Sequence, residues 1–509
     1  MSYCCIFSRA SFGIDAPSVA VEIHLSNGLP ALNIVGLANA EVRESRERVR
    51  SAILNSGFDF PARRITINLA PADLPKSGGR FDLAIAVGIL IASEQIVVPK
   101  TSDYEFLAEL GLDGELKPVN GILVASHQAV LSKRSIWVAN DNAREASMSR
   151  TTTVFTGSNL QDVIGQLMQP TRSPYEAEEL AYKKKTHMCL SLVQGNELAK
   201  HAICIAASGG HNLLMIGTPG SGKTMLANCL SSIMPELNDE DAFAVAALES
   251  VTQQGINVND WFQMRIRRPH HNCTAVAMTG GGKLPTPGEI SLAHKGILFL
   301  DELPEFAKSV LESLRQPLED KQLTVSRSNW KTTFPAHVQL IAAMNPCPCG
   351  YLSSTKTTCR CNETKVRSYL EKLSGPLLDR IDIQVMVNEI DITILHTSDS
   401  NLETSETIAE KVKQLRSRQL ERQGCLNAEL DVETILKQKT LAPSAYKLFD
   451  KAVEQYNLSM RAQQKLLRLT LTISDWNESK DLSKECLLLA LSFRAFDQIS
   501  ERLQKGFLQ

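Results

Sequence analysis

The stretch IGTPGSGKT, residues 216–224, restricts this chain more than any other. Gly217, Gly222, Lys223 and Thr224 stand at the spacing G-x-x-x-x-G-K-[ST]. Glycines at these places let the backbone turn and aim its N–H groups inward at an anion. The lysine would reach the β- and γ-phosphates of a nucleotide, and the threonine hydroxyl would ligate Mg²⁺. Such a loop needs a strand before it and a helix after it. An apolar run at 213–216 and a helical run at 225–233 supply them. The loop residues Gly217, Thr218, Pro219, Gly220, Ser221, Gly222, Lys223, Thr224 and Met225 are therefore expected to line an ATP site.

Further residues extend this reading. GILFLDE (296–302) is a buried-strand pattern ending in two acids. Asp301 would complete the Mg²⁺ shell with Thr224, and Glu302 would polarise the attacking water. A helix N-cap is the ordinary alternative for such a pair. VQLIAAMN (338–345) is another strand pattern, with Asn345 at its tip to position that water. Arg380 lies in SGPLLDRIDI and would offset transition-state charge on a phosphoryl group, or else pair with Asp379 or Asp382. Arg461 in SMRAQQKLL opens a C-terminal helix. In order and rough spacing, Lys223, Asp301–Glu302, Asn345, Arg380 and Arg461 resemble the Walker A, Walker B, sensor 1, arginine-finger and sensor 2 positions of AAA+ ATPases. The resemblance implies a ring, usually a homo-hexamer, with ATP at subunit interfaces and the finger acting in trans.

With 509 residues the chain is too long for one core. Residues 1–168 mix strand and helix signals. RRITINLA (63–70) alternates as a strand does. Residues 41–57 read as a helix with Val42, Val49 and Ile53 on one face and Gly57 as its stop. The arginines of that helix interleave with glutamates and read as a solvated, salt-bridged face. Residues 169–186 are polar and read as a linker. Residues 187–392 alternate strand and helix patterns as a parallel α/β sheet does, and 393–509 read as a helical lid.

Two long stretches carry a narrower resemblance. Residues 267–296, RRPHHNCTAVAMTGGGKLPTPGEISLAHKG, resemble the helix-2 insertion of the magnesium-chelatase-like AAA+ branch, and 314–346 resemble that branch's hairpin before the sensor strand. In that branch both elements face the central pore, so Lys283 and Lys331 are candidate DNA contacts; each also reads as an ordinary loop lysine. Residues 27–90 resemble the Lon-protease-like domain of the ComM/YifB family. Overlaying Lon's serine and lysine motifs puts Arg80 and Leu123 where a Ser–Lys dyad would stand. The resemblance thus implies an α+β Lon-like domain without a peptidase dyad. An AAA+ parallel-sheet P-loop core and a C-terminal helical lid would follow it. It also implies an ATP-driven hexameric helicase that promotes branch migration of incoming single-stranded DNA in natural transformation. A chelatase-like protein-remodelling ATPase is the alternative, and an ATP-dependent protease is weakened by Arg80 and Leu123.

Composition adds limits. A net charge of −2 gives no general basic surface for nucleic acid, so any polyanion contact must be local. No apolar run approaches a membrane span and no signal-peptide pattern opens the chain, so a cytoplasmic protein without membrane contact is expected. Among twelve cysteines, Cys347, Cys349, Cys359 and Cys361 form two C-x-C pairs. Four thiolates would close a tetrahedral Zn²⁺ site, although C-x-C is tighter than the usual knuckle. Four free thiols are the alternative. His270, His271 and Cys273 in RRPHHNC lack an evident fourth ligand and are not expected to form a metal site.

Overall fold

The computed structural model describes residues 3–36, 39–169, 173–177, 189–282, 285–326, 331–389, 404–496 and 499. Most of the expected linker lies outside them, as do Lys283 and the hairpin tip at 327–330.

The N-terminal part is built on a seven-stranded mixed sheet. Its order is Ala31–Val35, Arg64–Ala70, Ser18–Ser26, Tyr3–Arg9, Tyr104–Leu107, Ser135–Ala139 and Val154–Gly157. The alternation at 63–70 becomes the strand Arg64–Ala70, with Ile65, Ile67 and Leu69 fully buried. The helix Ala40–Asn55 starts where the Asn39 side chain accepts from the Val42 N–H, satisfying one orphan donor. Its apolar stripe, Val42, Val49 and Ile53, is fully buried in the core of this sheet. The helix Asp82–Ala92 is buried almost all round and forms the centre of this core.

Of the arginines on the first helix, Arg43, Arg46 and Arg50 are exposed as expected, and Arg48 departs from the solvated face. Arg48 reaches across to Asp82, a fully buried carboxylate, at 2.7 Å. Asp82 belongs to another helix, so this tie is tertiary. The two stretches overlaid on Lon's dyad do meet. Arg80 Nη2 donates to the Asn120 carbonyl at 2.5 Å, and both Arg80 and Leu123 are buried. A guanidinium and an apolar side chain thus occupy that corner.

The second sheet has five strands in the order Ile266–Arg267, Ile297–Leu300, Gln339–Met344, Leu213–Gly217 and Ile383–Val387, all parallel. Its strands are apolar on both faces, as a parallel sheet covered on both sides requires. Leu213, Met215, Ile341 and Val385 point into one core with the lid helices. Leu214, Ile216, Leu340 and Ala342 point into another, which includes the antiparallel hairpin Gln322–Ser326 and Lys331–Pro335.

From Ser405 the described chain forms five helices: Ser405–Gln423, Val432–Gln438, Pro443–Gln455, Met460–Trp476 and Lys484–Ser492. The Thr404, Ser459 and Ser483 side chains cap three of them. This lid is tied to the sheet by polar contacts as well as by packing. The ring of buried His211 bridges Thr472 of the lid at 2.7 Å and Asp382 of the sheet region at 3.3 Å. Glu429 pairs with Lys321 at 2.5 Å and His337 at 2.8 Å. Burial pushes its carboxyl up, but the bonds from His337 and Lys321 outweigh that and hold it down at about 2. Among the described residues no helix is long and apolar enough to cross a membrane.

Candidate active site

The phosphate loop links the strand Leu213–Gly217 to the helix Lys223–Ile233. Gly222 caps that helix at φ +93°, a left-handed conformation that costs glycine little. The Lys223 ammonium donates to the carbonyls of Gly217 and Thr218, both at 2.8 Å, and to Asn345 Oδ1 at 3.2 Å. Burial pulls its pKa below the ordinary lysine range, while Asp301 and Glu302 pull it back up. The hydroxyl oxygens of Thr218 and Ser221 are buried with no partner among the described residues. Buried polar groups rarely stay unsatisfied, so a loop that leaves two of them open is ready for a polar ligand. The donor set fits a nucleotide's phosphates.

The metal side of the site is also assembled. Thr224 Oγ1 donates to Asp301 Oδ2 at 2.9 Å, bringing together the two oxygens expected on Mg²⁺. Both are hard oxygen ligands, the kind this ion takes. Asp301 leaves the strand Ile297–Leu300 and accepts from the Glu302 N–H at 2.9 Å. Glu302 itself has φ +53°, uncommon for a residue with a Cβ, and its side chain is exposed. The strand ending near Asn345 lies between the loop strand and the acid strand. Its tip therefore reaches Lys223 from the side on which the acids stand.

The two arginines stand apart from this cluster. Arg380 pairs with Glu319 and donates to the Pro376 carbonyl at 2.8 Å. Arg461, at the start of the helix Met460–Trp476, approaches the same Glu319 at 3.6 Å. The ion pair of Arg380 is with Glu319 and not with Asp379 or Asp382; Asp382 serves His211 instead.

Sequence reading missed two participants. Glu319 carries no motif, and only the fold joins it to two arginines. His271 places Nδ1 3.3 Å from Glu302 Oε2. Its own stretch hints at metal ligation at most, and a contact across the insertion leaves no local pattern.

The four cysteines of the expected zinc site converge. Sγ–Sγ distances are 3.4 Å for Cys347–Cys349, 3.5 Å for Cys349–Cys359 and 3.7 Å for Cys347–Cys359. All four sulfurs, that of Cys361 included, lie within 4.8 Å of one another. A tetrahedral ion with Zn–S bonds of about 2.3 Å would need sulfurs roughly 3.8 Å apart, so the cage fits zinc. The cage also abuts the nucleotide site. Gly350 has φ +86°, and a Cβ there would come within 2.5 Å of Pro219 in the phosphate loop. Protein purified without added zinc is expected to carry close to one Zn²⁺ per chain by elemental analysis. Cys347→Ser with Cys359→Ser should remove it, lower the melting temperature by several degrees and weaken ATP binding through Pro219. Metal-free wild-type protein, never exposed to chelator and fully folded, would rule this out.

A phosphate loop, an acid pair beyond one intervening strand, a polar tip on that strand and a helical lid define a P-loop ATPase core of the AAA+ type. The family model for magnesium chelatase subunit ChlI matches residues 189–395. Models described as subunit ChlI of Mg-chelatase and as the ChlI C-terminal region match 21–142 and 402–494. The chain is 42% identical over 508 residues to Competence protein ComM of Haemophilus influenzae, covering 99% of each. It is 43% identical over 507 residues to Uncharacterized protein YifB of Salmonella typhimurium, again covering 99% of each. The chain belongs to the ComM/YifB family of magnesium-chelatase-like AAA+ ATPases. Shorter stretches resemble DNA replication licensing factor mcm2 of Schizosaccharomyces pombe and the Archaeal Lon protease of Methanocaldococcus jannaschii. The first is 25% identical over 40% of this chain and 21% of that protein; the second is 31% identical over 21% of this chain and 15% of that protein.

Proposed function

We propose that this chain is a cytoplasmic, ATP-driven DNA motor that assembles as a homo-hexamer and promotes branch migration when single-stranded DNA recombines during natural transformation. The observation that carries the reading is the end-to-end likeness to a competence protein in a chain with an assembled nucleotide site. The partial likeness to a DNA replication factor agrees with it.

In this mechanism Lys223, Thr218 and Ser221 bind and orient the triphosphate. Thr224 and Asp301 would hold Mg²⁺, which supplies charge neutralisation at the phosphates when bound. Glu302 takes the proton of the attacking water, and Asn345 orients that water. Arg380 reaches a neighbour's γ-phosphate, and Arg461 senses the nucleotide from the lid. The N-terminal domain is Lon-like in fold and non-proteolytic. A peptidase needs an activated nucleophile, and Arg80 and Leu123 offer none.

The near-neutral chain holds DNA where the ring's symmetry concentrates a few lysines. Lys331 is exposed at the tip end of the hairpin strands, opposite Ser326; Lys283 lies outside the described residues. Lys283→Ala with Lys331→Ala is expected to keep basal ATPase. It should lower DNA-stimulated ATPase and migration of a three-strand junction together, by about tenfold. Wild-type rates in that variant would make the lysines bystanders. Wild-type protein that neither responds to single-stranded DNA nor moves a junction would favour the protein-remodelling reading, to which the ChlI matches also point.

A further inference from the structure

The N-terminal domain carries a cleft that the nucleotide site does not use. Its volume is about 520 Å³, and its walls include Asn33, Val35, Arg43, Arg46, Arg64 and Thr66. The strand Ala31–Val35 forms its floor. That strand ends the sheet order, bonded to Arg64–Ala70 alone, so one row of its backbone polar groups faces outward. Register places Asn33 opposite Thr66 and Ala31 opposite Arg64. Arg43 and Arg46 come from the helix Ala40–Asn55, one turn apart and hence neighbours on its surface. Arg46 Nε donates to the Arg43 carbonyl at 3.1 Å, which holds its guanidinium over the cleft.

Three features set this cleft apart from an ordinary charged face. All three arginines are exposed. Among the described side chains none of them has an acidic partner, whereas the neighbouring Arg48 is spent on Asp82. Glu44 and Glu47 share the helix but do not line the cleft. In a chain of net charge −2, three unneutralised guanidinium groups around one opening are a local positive focus. Guanidinium forks match phosphate oxygens in two-point contacts, and Asn33 and Thr66 add neutral hydrogen-bonding groups. No aromatic ring among the described residues lines the opening, so nothing there stacks on bases.

We propose that this cleft binds the phosphodiester backbone of single-stranded DNA, independent of sequence, as a second contact made by residues other than Lys283 and Lys331. The proposal rests on the DNA-motor reading. It assigns the Lon-like domain a role in which that domain grips the strand outside the motor core while hydrolysis moves it.

The test is Arg43→Gln with Arg46→Gln and Arg64→Gln in the full-length protein, measured with a fluorescently labelled oligothymidylate over a series of salt concentrations. Because the side chains are exposed, melting temperature and basal ATPase should be unchanged. Affinity is expected to fall at least about tenfold, and the slope of log K against log salt to flatten by roughly 2, since each single-strand phosphate contact contributes about 0.7. A variant with lysine at all three positions should retain most of the slope. Three outcomes would overturn the proposal. The glutamine variant binding DNA with wild-type affinity and slope would leave the motor reading standing and point to an acidic protein segment as the occupant. Loss of ring assembly in that variant would make the cleft a subunit contact. A wild-type protein that does not bind the oligonucleotide at all would remove both readings.

Discussion

Replacing Glu302 with glutamine is expected to lower ATP turnover by about 10²–10³-fold while leaving ATP affinity within about threefold. The substitution keeps the shape and the hydrogen-bonding reach of the side chain. It removes the carboxylate that takes a proton from water. The binding groups Lys223, Thr218 and Ser221 stay in place, as does the Thr224–Asp301 contact. Lys223→Ala should behave in the opposite way and weaken ATP binding at least about tenfold, because it removes a buried ammonium aimed at the phosphates. Equilibrium nucleotide binding and steady-state turnover on both variants separate the two roles. Near-normal turnover in the glutamine variant would reject Glu302 as the base. His271 offers a further check. It touches the Glu302 carboxylate at 3.3 Å, so His271→Ala should lower turnover less than the loss of Glu302 does and leave affinity unchanged.

The contrast between Lys223 and Glu319 shows how much of this was legible in the sequence. The phosphate loop was readable because its chemistry requires consecutive residues: a turn, inward N–H groups, a lysine and a hydroxyl within one short stretch. The acid pair and Asn345 were readable because each ends an apolar run, and in a parallel sheet the strand ends share one edge. The helix at 41–57 was legible from its apolar period, and Val42, Val49 and Ile53 are indeed buried. Its exposed arginines were legible too, but Arg48 was not: its sequence neighbour is a glutamate, yet it is claimed by Asp82, 34 residues away. The partnership of Glu319 with Arg380 spans 61 residues. No periodicity records such a contact, because it depends on how the pre-sensor hairpin region packs beside the end of the sheet. The packing of Gly350 on Pro219 belongs to the same class. The cysteine pairs pointed to a four-thiol cluster, but only the fold puts that cluster against the phosphate loop.

Arg380→Ala is expected to cut hydrolysis by about 10³-fold with little change in the melting temperature, if the guanidinium serves a neighbour's γ-phosphate. Within one chain this side chain is only 13% exposed and pairs with Glu319. It makes no contact with Lys223, Thr224 or Asp301 among the described residues. A role in hydrolysis therefore requires the subunit interface to draw it away from Glu319, which Arg461 also approaches. Head-to-tail contacts in a ring allow this, since each subunit offers a different face to each neighbour. Two comparisons decide between a trans finger and a structural ion pair. Glu319→Gln breaks the pair from the other side; it should preserve most turnover if Arg380 acts in trans, and should mimic Arg380→Ala if the pair merely stabilises the fold. Mixing is the stricter test. A ring containing Arg380→Ala and Lys223→Ala subunits has some interfaces with an intact loop on one side and an intact finger on the other. With free subunit exchange and random order these are on the order of one quarter of all interfaces. Two variants that are each nearly inactive should then regain measurable ATPase on mixing, rising to a maximum near equal amounts. Flat activity across the mixing series, in rings shown to exchange subunits, would place Arg380 in its own chain's architecture and not in its neighbour's active site.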